Sequence, residues 1–182
     1  MNIERRSTTG EIRADDTKFH GLAFRFNQPF QLSKNLWECV EPKAIEKVMN
    51  EKQDIRCFYD HDEGRLLARS SSGTLRLNPD NVGMWYDFDF YPDDPDHIKL
   101  RSATNRGDIQ GSSYAFAIKE QEFYDEGDKR VRLIKSYDRI VEVSPCSNPA
   151  DKSTQFQTRC IQEFHANYET WIRLERAKKI VF

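Results

Sequence analysis

The sequence predicts a mainly β domain of the α+β class, folded as a small closed or nearly closed barrel with a few inserted helices. Short runs of alternating apolar and polar residues recur through the first two thirds of the 182-residue chain. Turn-forming residues separate these runs, and only two stretches there change to helical spacing. A barrel is expected because closing the sheet removes exposed strand edges.

The predicted strands follow one another with short interruptions. The alternation is clearest in LAFRF (22–26) and in MWYDFDFY (84–91). The other runs interpreted as strands are LWECV (36–40), IRCFYD (55–60), RLLARS (65–70), TLRLN (74–78), SSYAFAIKEQEFY (112–124), VRLIKSYD (131–138) and RIVEVSP (139–145). A turn is expected at DEG (62–64), directly after the strand that ends near His61.

Two helices are expected between these strands. Residues 41–52 place four apolar side chains on one helical face, with Pro42 suited to the first turn. Residues 93–109 begin with acidic residues and proline and end near Gly107, which suits a helix C-terminus. Their apolar positions are Ala44, Ile45, Val48 and Met49 in the first helix, and Ile98, Leu100 and Ala103 in the second.

The chain is expected to have three parts. Residues 1–18 are polar and are expected to form a flexible N-terminal segment, and residues 19–151 form the β domain. Residues 152–182 predict a polar linker and a C-terminal amphipathic helix, which either docks on the domain or carries the protein to its site of action. No apolar run approaches the roughly 18 residues of a membrane span, and the N-terminus lacks a signal-peptide core, so we expect a cytoplasmic protein without membrane contact.

Charge and cysteine usage exclude some functions. The formal net charge is −2 and the pI is about 6.1, which disfavours nucleic acid as the main partner. The four cysteines form no CxxC pair, and no two histidines have the i, i+4 spacing of a helical metal site. We therefore expect no metal, no cofactor and reduced cysteines.

Three kinds of residue suggest hydrolytic chemistry. Ser112 and Ser113 follow Gly111 at the start of a strand, where they are either turn residues or a nucleophile. A hydroxyl nucleophile needs a base, and His61 in FYDHDEG is the best base on offer, although a surface histidine in an acidic turn fits the same pattern. Glu142 in RIVEVSP is either solvated or turned inward to orient that histidine. Alternation would place Ile140, Glu142 and Ser144 on one strand face.

Five blocks in order resemble the tailed-phage prohead (procapsid) maturation proteases, which are related in fold to the herpesvirus protease assemblin. The resemblance runs from about residue 19 to residue 151. The blocks are FHGLAFRFNQPF, WECVEPKAIEKVM, FYDHDEGRLLARSSSGTLRLNPDNVGMWYDFDF, HIKLRSATNRGDIQGSSYAFAI and RIVEVSPCSNPAD. Ala115 stands where the family usually has glycine, and Ser112 where it often has a larger apolar residue.

The resemblance implies an assemblin-like barrel and a serine endopeptidase. It assigns the nucleophile to Ser113, the general base to His61 and the orienting acid to Glu142. It also implies the partners, namely the major capsid protein with its scaffold segment and the protease itself, and a homodimer is a further expectation. The protein would act in the host cytoplasm, packaged inside the immature prohead, and would need no metal or cofactor.

Three alternatives stay open on the sequence. Ser112 is a rival nucleophile, because only one of two consecutive strand residues can face His61. A cysteine hydrolase would use Cys57 or Cys146, although Cys57 and His61 would lie roughly 13 Å apart along a strand. A non-enzymatic capsid scaffold protein with the same fold would leave Ser113, His61 and Glu142 apart.

Overall fold

The computed structural model describes residues 2–9 and 11–147, and this part of the chain is mainly β, as predicted. The strands are β1 (Glu4–Thr9), β2 (Ile12–Ala14), β3 (Lys18–Arg25), β4 (Phe30–Ser33), β5 (Leu36–Val40), β6 (Arg56–Tyr59), β7 (Asp62–Arg69), β8 (Arg76–Pro79), β9 (Gly83–Asp89), β10 (Gly111–Glu126) and β11 (Lys129–Cys146). The helices are a 3₁₀ turn (Pro42–Ile45) that continues into α1 (Glu46–Asn50), and α2 (Pro95–Arg106).

The strands form two separate sheets, and the predicted closed barrel is not found among the described residues. The larger sheet has the order β1-β10-β11-β5-β4, with β6 pairing both β11 and β7. The smaller sheet has the order β2-β3-β9-β8. Strand β11 pairs with β5 along its first half and with β6 near its end. Beyond β11 the larger sheet therefore divides into one branch with β5 and β4 and another with β6 and β7, whereas a closed barrel would continue as a single sheet.

The two sheets pack face to face through aromatic side chains. Phe24 of the smaller sheet lies over Tyr114 of the larger one, with ring centroids 4.5 Å apart, and also contacts Tyr137. Tyr86 and Ser112 join the sheets by a hydrogen bond of 2.8 Å between their hydroxyl oxygens. Burial of these rings, each of which removes about 150–250 Å² from water, provides the main apolar contact between the layers.

The N-terminal residues differ from the expected flexible segment. Strand β1 pairs antiparallel with β10 along Glu4–Thr9. Its charged side chains have buried partners, because Arg6 binds Glu38 and Glu4 binds both Arg6 and Arg132. The polar composition of residues 1–18 predicts a flexible segment, but residues 4–9 form a strand of the larger sheet. Composition alone does not reveal such pairing with distant residues.

The helices lie where the sequence predicts, with shorter ordered lengths. Helix α2 begins at the side chain of Asp94, which accepts hydrogen bonds from two backbone N–H groups, and ends at Gly107 with φ of 80°. Its buried face includes Leu100 and Ala103, whereas Ile98 is exposed. His97 completes that face, because Nδ1 accepts the Tyr91 N–H, which leaves Nε2 to donate to the Leu67 carbonyl.

Two predicted strands near the C-terminus are one. Residues 131–138 and 139–145 belong to the single strand β11, which forms a long hairpin with β10. No helix among the described residues is long and apolar enough to span a membrane. The boundary at 151 and the predicted linker and helix of 152–182 lie outside the described residues.

Candidate active site

His61 lies in a tight hairpin turn between β6 and β7. Tyr59 and Asp62 are paired across the turn, and the two residues between them, Asp60 and His61, both have positive φ, 55° and 64°. Positive φ at both central positions is the pattern of a type I′ turn, which matches the twist of the flanking strands. The turn therefore lies at 60–61, two residues before the position 62–64 that the sequence predicts.

Asp60 ties this turn to the end of β11. Its backbone N–H donates to the Pro145 carbonyl at 3.0 Å. Its carboxylate accepts hydrogen bonds from the Ser147 N–H at 3.2 Å and the Ser147 hydroxyl at 2.9 Å. Left-handed backbone is strained for residues other than glycine and persists where surrounding contacts hold it. These contacts hold His61 beside the end of β11.

A β-bulge decides which way Glu142 faces. Ala115 of β10 is opposite Glu142, but the next residue, Phe116, is opposite Ile140, so β11 carries one extra residue at Val141. The prediction that Ile140 and Glu142 share a face is therefore wrong, because a bulge interrupts the alternation of side chains. Ile140 joins the core between the sheets, while Glu142 lies on the opposite face of the sheet.

The structure brings His61 and Glu142 together. His61 Nδ1 lies 2.6 Å from Glu142 Oε1, and the glutamate is only 2% exposed. A carboxylate can only accept hydrogen bonds, so Nδ1 carries the proton that is donated, and in the neutral form of the ring Nε2 is then an acceptor. Arg5 Nε lies 3.2 Å from the same carboxylate oxygen. The hydrogen bond to Glu142 thus fixes the orientation of the imidazole ring.

The two serines face opposite sides of the larger sheet. The Ser112 side chain points between the sheets, where its hydroxyl bonds Tyr86. Ser113 is opposite Ser144, and the pair Ala115–Glu142 lies two residues farther along the strands. Because side chains alternate, Ser113 points to the same sheet face as Glu142. Its hydroxyl donates to the Arg6 carbonyl at 2.8 Å. Ser113 is therefore the serine on the histidine side.

Ser113 and Glu142 belong to two cross-strand rows of side chains on this face of the larger sheet. One row runs across β1, β10, β11 and β6, and the other across the first three of these strands. The first row contains Arg5, Ala115, Glu142 and Arg56, and the second contains Ser7, Ser113 and Ser144. Ser144 is fully buried, and its hydroxyl has no hydrogen-bond partner within the described residues.

The cysteines are poorly suited to nucleophilic attack. Burial, with a smaller contribution from the charge of Glu142, raises the pKa of the Cys57 thiol well above its ordinary value. Burial and the charge of Asp60 raise the pKa of Cys146 to about 12. Because the thiolate is the reactive form, both side chains are inert at neutral pH. Residues 2–9 and 11–147 contain no cluster of side chains able to hold a metal ion.

Comparison with known proteins identifies the family. A family model described as caudovirus prohead serine protease matches residues 2–168, which is most of the chain. The chain belongs to this family. Membership confirms the resemblance seen in its motifs and makes the chain a serine protease of the prohead class. The match begins ahead of residue 19 and ends beyond residue 151, so the family region is longer than the motifs alone indicated.

One solved structure similar to this prohead protease is the bacteriophage T4 capsid assembly protease, gp21. The two chains share 12% sequence identity, and the alignment covers 79% of this chain and 96% of that one, with a TM-score of 0.43. None of the curated proteins matches the chain.

Sequence reasoning missed three features of the site. The bulge at Val141, the bonds that hold Asp60 and the approach of Arg5 to Glu142 all depend on pairing between distant strands. The dipeptide Asp60-His61 between two apolar runs was a usable signal for the turn, because aspartate and histidine are enriched among residues with positive φ.

Proposed function

We propose that this prohead protease is an endopeptidase that removes scaffold segments from the major capsid protein during procapsid maturation, with Ser113, His61 and Glu142 as its catalytic group. The observation that carries the proposal is the 2.6 Å hydrogen bond between His61 Nδ1 and Glu142 Oε1. It joins residues 81 positions apart in the chain and provides the oriented base that a hydroxyl nucleophile requires.

The proposed reaction follows acyl-enzyme chemistry. Ser113 Oγ attacks the scissile carbonyl carbon while His61 Nε2 accepts the hydroxyl proton. Glu142 stabilises the imidazolium that forms, and His61 then gives the proton to the leaving amine as the peptide bond breaks. Water, activated by the same histidine, releases the acyl group from Ser113. The protein groups supply every proton transfer, so the proposal includes no metal or cofactor.

The Ser113 hydroxyl must change its hydrogen-bond partner before it reacts. It now donates to the Arg6 carbonyl, and rotation about χ1 would redirect it over the sheet face. Diagonal neighbours such as Ser113 and Glu142 have Cα atoms about 7–8 Å apart, which leaves room for an imidazole ring between their side chains. Ala115, directly opposite Glu142, takes up little of this space because its side chain is a single methyl group.

The pairing of β10 restricts how a substrate can reach Ser113. Strand β1 lies along one side of residues 111–116, and β11 lies along the other. Both edges of β10 are therefore occupied at Ser113. A peptide that added to the outer edge of β1 would lie two strand spacings, about 9.6 Å, from β10. We therefore propose that the substrate crosses the sheet face and does not extend the sheet.

Family membership supports a wider role. We propose that the enzyme acts inside the immature prohead in the host cell, and that it also cleaves itself. Residues 152–182 remain a predicted linker and helix, either docked on the domain or used to enter the assembling particle. Homodimer formation likewise remains an expectation.

The proposal is tested by co-expressing the chain with the major capsid protein of its own phage. Wild type, Ser113→Ala and the matched control Ser112→Ala are compared by intact mass of the capsid protein. We expect wild type and Ser112→Ala to remove a defined capsid-protein segment, and Ser113→Ala to leave the protein intact.

The other outcomes are equally informative. Cleavage by Ser113→Ala would move the nucleophile elsewhere and refute the proposed group. If neither the wild type nor the two variants cleave the capsid protein while particles still form, the scaffold-protein alternative is favoured. Loss of cleavage in Ser112→Ala alone would assign the reaction to the serine that faces Tyr86.

A further inference from the structure

Arg5 crosses a whole strand to reach Glu142. It lies on β1, opposite Ala115 of β10, and Ala115 is opposite Glu142 of β11. The Arg5 Nε atom is 3.2 Å from Glu142 Oε1, the oxygen that also bonds His61. The guanidinium group can pass over β10 because Ala115 projects only a methyl group there.

We infer that Arg5 is a positioning residue of the proposed catalytic group, acting through Glu142 to keep His61 neutral and available as a base. The inference rests on the proposed function for its catalytic meaning. Its physical content is the coupling of Arg5, Glu142 and His61, which exists whether or not the chain turns over a substrate.

The burial of Glu142 is the reason a second cation matters. A buried carboxylate is costly unless it is paired, and the Glu142 side chain is only 3% exposed. Arginine stays protonated at every relevant pH, so Arg5 supplies a permanent positive charge. Without Arg5, the nearest way to compensate this anion is to protonate His61, and a protonated His61 cannot accept the Ser113 proton.

The other charged groups around this pair are exposed to solvent or bind other partners. Arg56 of β6 is the register neighbour of Glu142 and is exposed. Asp60 binds Ser147, and the Asp62 carboxylate accepts the Gly64 N–H. The Cys57 thiol is buried, and burial raises its pKa so that it is uncharged at neutral pH. Within the described residues, Arg5 is the arginine that forms an ion pair with Glu142.

The strand that carries Arg5 is anchored from its opposite face. Arg6, the next residue, points into the core side and binds Glu38 through two hydrogen bonds of 2.8 Å and 2.9 Å. Successive strand residues point to opposite faces, so the buried Arg6 holds the register that places Arg5 over Ala115. Two adjacent arginines therefore have different tasks.

The test measures His61 directly. The full chain, labelled at histidine and carrying Ser113→Ala to prevent self-cleavage, is titrated by NMR with Arg5, Arg5→Gln or Arg5→Lys, and His61→Gln identifies the resonance. We expect Arg5→Gln to move the His61 titration midpoint upward by about one pH unit, since removing a cation within 4–6 Å has an effect of this order. Arg5→Lys should restore most of the wild-type midpoint.

Kinetics with active Ser113 provide the second measurement. In Arg5→Gln, kcat/KM should fall about tenfold below the wild-type midpoint and recover at high pH, because a one-unit shift corresponds to a factor of ten. Arg56→Gln is the matched control, since it removes an exposed arginine from the same row. It should leave the pH profile nearly unchanged.

Three results would overturn the inference. They are an unchanged His61 midpoint in Arg5→Gln, a loss of kcat/KM that is equal at all pH values, and an equal shift in Arg56→Gln. Failure of the proposed function looks different. In that case the wild-type chain would cleave nothing, while the NMR midpoint would still respond to Arg5 and would support the coupling by itself.

Discussion

Asp60 and His61 form a strained dipeptide that holds the proposed catalytic base beside Glu142. Both residues have positive φ, and Asp60 binds Ser147 through its carboxylate. The backbone strain of about 1–3 kcal/mol per such residue must be offset by surrounding contacts. Asp60 therefore attaches the turn to β11, while His61 is the proposed catalytic base, and the two roles can be separated by mutation.

We expect Asp60→Ala to unfold more easily by about 1–2 kcal/mol, because it loses two hydrogen bonds and tolerates positive φ poorly. Its kcat/KM should fall by about tenfold or more, since a displaced base loses alignment with the nucleophile. Asp60→Asn is the matched control, because asparagine tolerates left-handed backbone and keeps an acceptor oxygen. Denaturant unfolding and peptide hydrolysis provide the two measurements, and wild-type kcat/KM in Asp60→Ala would contradict this role.

At the scale of elements, β1 is attached by buried ion pairs. Arg132 donates to both carboxylate oxygens of Glu4 at 2.7 Å, and Arg6 binds Glu4 and Glu38. Burial alone would raise the pKa of Glu4, but the hydrogen bonds and charges of Arg132 and Arg6 outweigh burial and leave this pKa below its ordinary value of 4.5. The ionised form of Glu4 therefore stabilises the folded state.

The sign of this effect gives a pH prediction. A lowered folded-state pKa contributes stability above the unfolded value of 4.5, and this contribution is lost as pH falls through the folded pKa. At pH 7 we expect Glu4→Gln to lower the free energy of unfolding by about 3 kcal/mol, because two buried arginines then share one carboxylate. The difference from wild type should narrow steadily below pH 4.5. Urea unfolding at several pH values checks this, and a difference that does not change with pH would refute it.

At the scale of the whole molecule, the proposed catalytic group and its positioning residue Arg5 come from four segments of the chain. Arg5 comes from β1, Ser113 from β10, Glu142 from β11 and His61 from the β6–β7 turn. The larger sheet holds all four because β11 pairs with β10 on one side and with β6 on the other. The smaller sheet contributes packing on the opposite face.

The role of the C-terminal region can be tested by truncation. We expect deletion of residues 156–182 to leave hydrolysis of a short peptide intact while lowering incorporation into particles, because the predicted catalytic residues precede this region. Deletion of 169–182, which lies beyond the family match, is the matched control. Particle content measured by mass spectrometry and peptide hydrolysis provide the readouts. Loss of hydrolysis in the longer deletion but not in the control, with folding retained, would assign residues 156–168 to the enzyme itself.

The sequence alone predicted the mainly β class and the two helices. It also indicated the residues that are proposed for catalysis. Alternation predicts a strand such as 84–91 because each residue's face depends only on its immediate neighbours. Family membership was readable for a related reason, since five local motifs occur in order along one chain. Local patterns of this kind need no knowledge of which strands pair.

The tertiary structure alone decided the open two-sheet arrangement, the direction of Glu142 and the approach of Arg5. Each depends on register between strands far apart in the chain, such as the extra residue at Val141 opposite β10. A bulge reverses the sheet face to which every side chain beyond it points. Strict alternation therefore predicts that Ile140 and Glu142 point to the same face, whereas in the paired strands they point to opposite faces. Local sequence therefore identifies the residue types that are suited to the proposed chemistry. Strand pairing determines which of these residues lie close together in space.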